Sequence, residues 1–187
     1  ILTKNGAIHH INHVLDLFQP AVTKQTFQFT EEEPILQEAK KERGGEYVFE
    51  NQEDFSNFSW SGVERLTYFA TSSSSEQAWD KDYLMIDGDF EISYRIPKVM
   101  VGRYTVKMRA NRNSQENATI QVFIDGKKLG GNINLSIGGP GGNPYGSMII
   151  LGNIEFSNTS RHTIKVRSLL PGTFIWDIIQ FDLPDEY

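Results

Sequence analysis

The stretch DFEISYRIPKVMVGRYTVKMRANRNSQENATIQVFIDGKKLG constrains this chain more than any other part of it. Apolar residues return at every second position. Phe90, Ile92, Tyr94 and Ile96 alternate with Glu91, Ser93 and Arg95, and Tyr104, Val106, Met108 and Ala110 alternate with Arg103, Thr105, Lys107 and Arg109. Successive side chains of a strand point to opposite faces, so a period of two marks a strand with one face buried. Ile120, Val122 and Ile124 in ATIQVFID, and Ile164 and Val166 in HTIKVRS, repeat the pattern. YVFE, LTYF, INLSI, SMIILGNIEF and TFIWDIIQF bring the total to about nine strands, parted by turns rich in Gly, Asn and Ser. The pattern predicts an all-β antiparallel sandwich over residues 45–187. With 39% hydrophobic and 12% aromatic residues, the chain has enough apolar material for its core.

The sequence ahead of the sandwich reads differently. Residues 21–44 turn polar, with an acidic block followed by a basic one, and are expected to be a linker. Acids before bases complement a helix dipole and Pro34 suits a first turn, so a short helix from Pro34 is expected inside it. If this segment only connects, removing residues 1–40 leaves the sandwich folded. Residues 1–20 carry His9, His10 and His13. His9 and His13 have the i, i+4 spacing of helical metal ligands, but β-branched neighbours and the absence of an intervening carboxylate favour surface or partly packed histidines.

Composition excludes several functions. A net charge of -6 does not suit a nucleic-acid or anionic-membrane partner, because phosphate neutralisation needs cations. Without cysteine there is no disulfide, thiol chemistry or Cys-based zinc site. No apolar run is long enough to span a membrane.

Two family resemblances add to this reading. NGAIHHINHVL, through Asn5, Gly6, Ile8, His9, Ile11, Val14 and Leu15, resembles the closing motif of fasciclin domains, with Asn12 in place of the usual Asp. The match covers about the last dozen residues of a domain of ordinary size. Together with a first residue Ile1 in place of Met, it implies that residues 1–20 are a fasciclin-like stub and the chain a piece of a longer one. From residue 45 to 184 the chain resembles galactose-binding-like jelly rolls, common among carbohydrate-binding modules. The matching positions are Gly102, Tyr104, Val106 and Arg109; Val122, Ile124, Asp125 and Gly126; and Asp177, Ile179 and Phe181. This order of domains resembles surface proteins of Bacteroidetes and implies an extracellular or cell-surface location. The jelly-roll resemblance also implies a structural calcium ion held by Glu46, Glu50 and Asp177, oxygen ligands of the kind calcium takes. Asp177 has a second reading, as the partner of an outward Arg or Lys.

The residues offer little for catalysis. No G-x-S-x-G occurs, Ser72 to Ser75 form a low-complexity loop, and His162 has no evident partner, so the chain is expected not to be an enzyme. GGPGGNPYG, from Gly138 to Gly146, lacks the ending of a phosphate loop and reads as a crossing between strands. Binding is better served. Sugar rings stack on flat aromatics and are oriented by a few polar groups, so Trp79, Tyr83, Asn143 and Tyr145, in or beside predicted loops, are the candidate ligand residues. Trp60 also falls beside a loop, whereas Trp176, mid-strand, belongs to the core. For Trp79 and Tyr83 burial beneath a loop is the competing reading. Arg103, Lys107, Arg109, Lys165 and Arg167 would form a basic stripe if their strands were neighbours, and otherwise pair with acids on a solvated face. The expected function is a non-catalytic extracellular binding or adhesion module whose partner is a glycan. The alternatives are a structural spacer or protein-interaction domain that meets another surface protein, and an accessory domain of a glycan-degrading enzyme.

Overall fold

The computed structural model describes residues 2–3, 6–7, 24–42, 45–71, 78–112, 114–138 and 143–184. Among the described residues two short strands, β1 (Leu2–Thr3) and β2 (Gly6–Ala7), pair with each other and with no other strand. Apart from Gly6 and Ala7, the fasciclin-like motif and its histidines lie outside the described residues. Three short 3-10 turns (Phe29–Glu31, Gln52–Asp54 and Trp79–Lys81) aside, the remaining described elements are β3 (Gln25–Phe27), α1 (Pro34–Lys41), β4 (Gly45–Phe49), β5 (Phe58–Ala70), β6 (Asp82–Val99), β7 (Gly102–Ala110), β8 (Thr119–Ile124), β9 (Lys127–Asn134), β10 (Ile149–Phe156), β11 (Ser160–Leu170) and β12 (Gly172–Asp182). Among the described residues no helix is long and apolar enough to cross a membrane.

The expected antiparallel sandwich is present. Its strands run β10-β7-β12-β6-β11-β8-β9, with β5 on β6, β4 on β5 and β3 on β12. Two long strands change partners along their length. The first half of β12 pairs with Leu84–Gly88 of β6, and its second half with β7 on one side and β3 on the other. The second half of β6 pairs with β11 instead. One layer is therefore β4, β5, β6, β3, β12, β7 and β10, and the other is β5, β6, β11, β8 and β9. The β5-β6 pair bends from one to the other where its register slips on either side of Val63. Gly62 makes that bend possible: its φ is +66°, and a Cβ there would stand 2.0 Å from the Asp89 carbonyl oxygen.

Alternation decides what is buried. Inward residues of β6, β7, β8 and β11 are almost fully enclosed, among them Phe90, Ile92, Tyr104, Val106, Ile120, Val122 and Ile164. Trp176, 1% exposed, sits among Phe58, Tyr94 and Phe174 with ring centroids 5.7–6.5 Å away, as its mid-strand position predicts.

The linker expectation is not met. Phe27, Phe29 and Leu36 are buried, and β3 adds a strand beside β12. Burying such a side chain stabilises by roughly 1.5–3 kcal/mol, so residues 25–41 are part of the sandwich. The acidic run EEE concealed this. Glu33 is fully buried, not solvated, because its carboxylate accepts the backbone N–H groups of Ser56 (3.0 Å) and Asn57. The helix itself begins at Pro34 as expected.

The basic stripe does not form either. β12 and β6 separate β7 from β11. Arg103 pairs with Glu155, Lys107 with Asp182, Arg109 with Asp177 and Lys165 with Glu91, while Arg167 donates to Gln121 and lies over Phe123.

Candidate functional site

The site begins at a strained turn. Just before β6, Asp80 and Lys81 have φ values of 51° and 61°. Residues with a Cβ seldom adopt this left-handed region; each costs of order 1–3 kcal/mol and persists only where its surroundings impose it. Here the surroundings do so from several sides. Lys40 of α1 places its Nζ 2.5 Å from the Asp80 carboxylate and 3.2 Å from that of Asp82. Gln28 donates to the Trp79 carbonyl at 3.2 Å and to the Asp82 carboxylate, which also accepts the Tyr68 hydroxyl at 2.7 Å. The Thr71 N–H donates to the Lys81 carbonyl, and the Trp79 N–H to Asp177 Oδ1 at 2.9 Å. What the turn presents is Trp79, a residue 49% exposed.

Burial has electrostatic consequences under this turn. Desolvation raises the Asp82 carboxyl above its ordinary range, and the Tyr68 hydroxyl and Lys40 offset only part of the rise. Lys40 responds the opposite way. Its partial burial favours the neutral amine, but Asp80 and Asp82 outweigh that and lift its pKa, keeping the ammonium charged.

Beside the turn lies one face of the first layer. Leu84 pairs with Trp176, so Tyr83 and Asp177 each stand one residue beyond that pair. Tyr83 is half-buried and stacks on Phe69 with centroids 5.0 Å apart. Asp177 is fully buried, with Arg109 Nε 3.2 Å from its Oδ2. The Arg109 guanidinium in turn lies 5.7 Å from the centroid of the Tyr145 ring. Trp79, Asp177, Arg109 and Tyr145 thus form one connected chain of contacts.

Of the candidate ligand residues, Trp79 is half-exposed and Tyr83 half-buried. Tyr145 is only 5% exposed, covered as a support beneath Arg109, so it is no platform. The Asn143 side chain is turned back on its own loop, its Oδ1 accepting the Tyr145 N–H at 2.8 Å. The calcium set also fails to assemble. Glu46 is exposed and paired with Arg65, Glu50 is exposed, and Asp177 serves Arg109 and Trp79. Among the described residues no group of three or more His, Asp or Glu side chains could hold an ion. The second reading of Asp177, as an arginine partner, is the one the structure adopts.

No protein-family model matches the sequence, and no curated protein matches it. Solved structures are similar at a distance. They include the family 35 carbohydrate-binding module of Paenibacillus barcinonensis (14% identity over 75% of this chain and 100% of that one, TM-score 0.45). The family 35 module of Clostridium thermocellum is similar too (11% identity, 74% of this chain and 99% of that one, TM-score 0.42). So is a Paenibacillus xanthan lyase (15% identity, 65% of this chain, TM-score 0.49), of which this chain spans only 12%. Likeness this distant assigns neither ligand nor activity.

His162 has partners that its sequence did not reveal. Its Nδ1 lies 2.6 Å from Asp125 Oδ2 and its Nε2 lies 3.2 Å from Ser160 Oγ. That order of contacts is the one a hydrolytic triad uses. The imidazole, however, is stacked on Phe156 at 3.8 Å and only 7% exposed, and Ser160 also bonds Asn158. Asp125 Oδ1 accepts the Thr163 N–H at 2.9 Å, so the cluster pins the turn between β8 and β9 onto β11. Sequence reading also missed Gln28, Lys40, Tyr68 and Arg109 as supports of the Trp79 turn. Only long-range pairing brings them there.

Proposed function

We propose that this chain is a non-catalytic glycan-binding module, with Trp79 as the stacking platform and Tyr83 beside it. The observation that carries the reading is the Trp79 turn: a half-exposed tryptophan directly before two consecutive strained residues, its backbone and theirs braced by Lys40, Gln28 and Asp177. Strain sustained by so many contacts fixes the backbone that carries the ring before a ligand arrives, which lowers the ordering cost of binding. A sugar offers such a ring its apolar C–H face. The fasciclin-like motif of residues 5–15 supports a place next to a fasciclin domain in an extracellular or cell-surface protein.

A glycan array probed with the full chain, followed by calorimetry on the sugars retained, tests the reading. Retention by the wild type and its loss in Trp79→Ala are expected. A wild type that retains no glycan would instead make the chain a spacer or a protein-interaction domain.

A further inference from the structure

We infer that the ligand is a linear glycan chain laid along the outer face of β7, and not a terminal sugar held at Trp79 alone; this rests on the glycan-binding reading above. Two grooves, of about 390 and 380 Å³, open on that face, both bounded by β7 and β10. The outward residues Arg103, Thr105, Lys107 and Arg109 line up along it. At the rise of an extended strand, this row is about 20 Å long, the length of several sugar units. The grooves take in Arg103, Thr105 and Lys107, and the next outward residue of the row, Arg109, contacts both Asp177 and Tyr145, so the same row of β7 leads from the grooves to the Trp79 turn.

The lining suits a polyhydroxylated chain. Donors and acceptors occur in side-by-side pairs along the row: Arg103 with Glu155 at 3.1 Å, Thr105 with Asn153 at 2.9 Å and Lys107 with Asp182 at 2.6 Å. Hydroxyl groups both donate and accept, and can bridge such pairs. Next to them lie two large exposed apolar side chains, Ile150 (67%) and Leu183 (45%), which a sugar's C–H face can cover. An extended peptide fits less well. Peptides commonly add to a free sheet edge through backbone hydrogen bonds, whereas β7 is paired on both sides, with β10 and β12. Recognition here falls to side chains.

Calorimetry with the full chain tests this on linear xylo-, manno-, gluco- and galacturono-oligosaccharides, from single sugars to hexamers. For the series that binds, affinity should rise at least about tenfold between the disaccharide and the hexamer. The double variant Thr105→Leu, Asn153→Leu should remove that gain and leave disaccharide binding as it was. Arg103→Ala, at a position 75% exposed and so without risk to folding, should weaken only the longest chains. Equal affinity at all lengths, with both variants silent and Trp79→Ala still damaging, would overturn the chain inference and keep the platform. Absence of binding to every oligosaccharide and to the array would overturn the platform as well.

Discussion

Trp79 and Trp176 are the same side chain put to opposite uses. Trp176→Ala should cost about 3–5 kcal/mol, as truncating a large core aromatic does, and lower the melting temperature accordingly. Trp79→Ala should leave the melting temperature nearly unchanged and abolish glycan retention, because a residue 49% exposed contributes little to folding. Lys40 makes a finer test. Replacing it with Met leaves the Asp82 carboxylate buried without its cation. The expected loss at neutral pH is about 2–3 kcal/mol, below that for a wholly enclosed pair because Lys40 still reaches solvent. Asp82 sets the pH dependence. A carboxyl raised in the folded state favours folding when protonated, and that contribution is lost as pH rises through its folded pKa. The deficit of Lys40→Met should therefore shrink from neutral pH down to about pH 4, read by urea unfolding of both proteins. Single residues were partly legible in the sequence. Period two put Trp176 in the core, but nothing near Tyr145 in the chain shows that Arg109 covers it.

At the scale of elements, strands with strong alternation were legible and the segment before them was not. Residues 25–41 contain too few apolar positions to show a period, and their burial depends on distant partners: β12 for Phe27, and Ser56 and Asn57 for Glu33. The segment also supplies Gln28 and Lys40 to the Trp79 turn. Deleting residues 1–41 should therefore abolish cooperative thermal unfolding followed by circular dichroism. The deletion removes three large buried apolar side chains, Phe27, Phe29 and Leu36, worth roughly 1.5–3 kcal/mol each, against a total stability that is usually about 5–15 kcal/mol. A truncated protein that still melts sharply would show that this segment caps the sandwich without holding it together. The α1 helix was legible for a local reason, since Pro34 and the order of charges act within the helix.

For the whole molecule, local patterns named the strands but not their neighbours, since pairing joins residues far apart in the chain. The basic residues of β7 and β11 show the limit: alternation put them on outward faces, and only the strand order shows that two strands keep them apart. The same order governs how the protein unfolds. Because β5 and β6 run through both layers, the two layers are expected to open together. Gly62 tests this at the bend. Gly62→Ala would force a Cβ to within 2.0 Å of the Asp89 carbonyl at a φ of +66°, which should cost at least about 2 kcal/mol. If the layers are one cooperative unit, the variant should melt earlier in a single transition, with the near-ultraviolet signal of Trp176 and the far-ultraviolet strand signal falling together. Two separated transitions would mean that the bend is a hinge between independently stable layers.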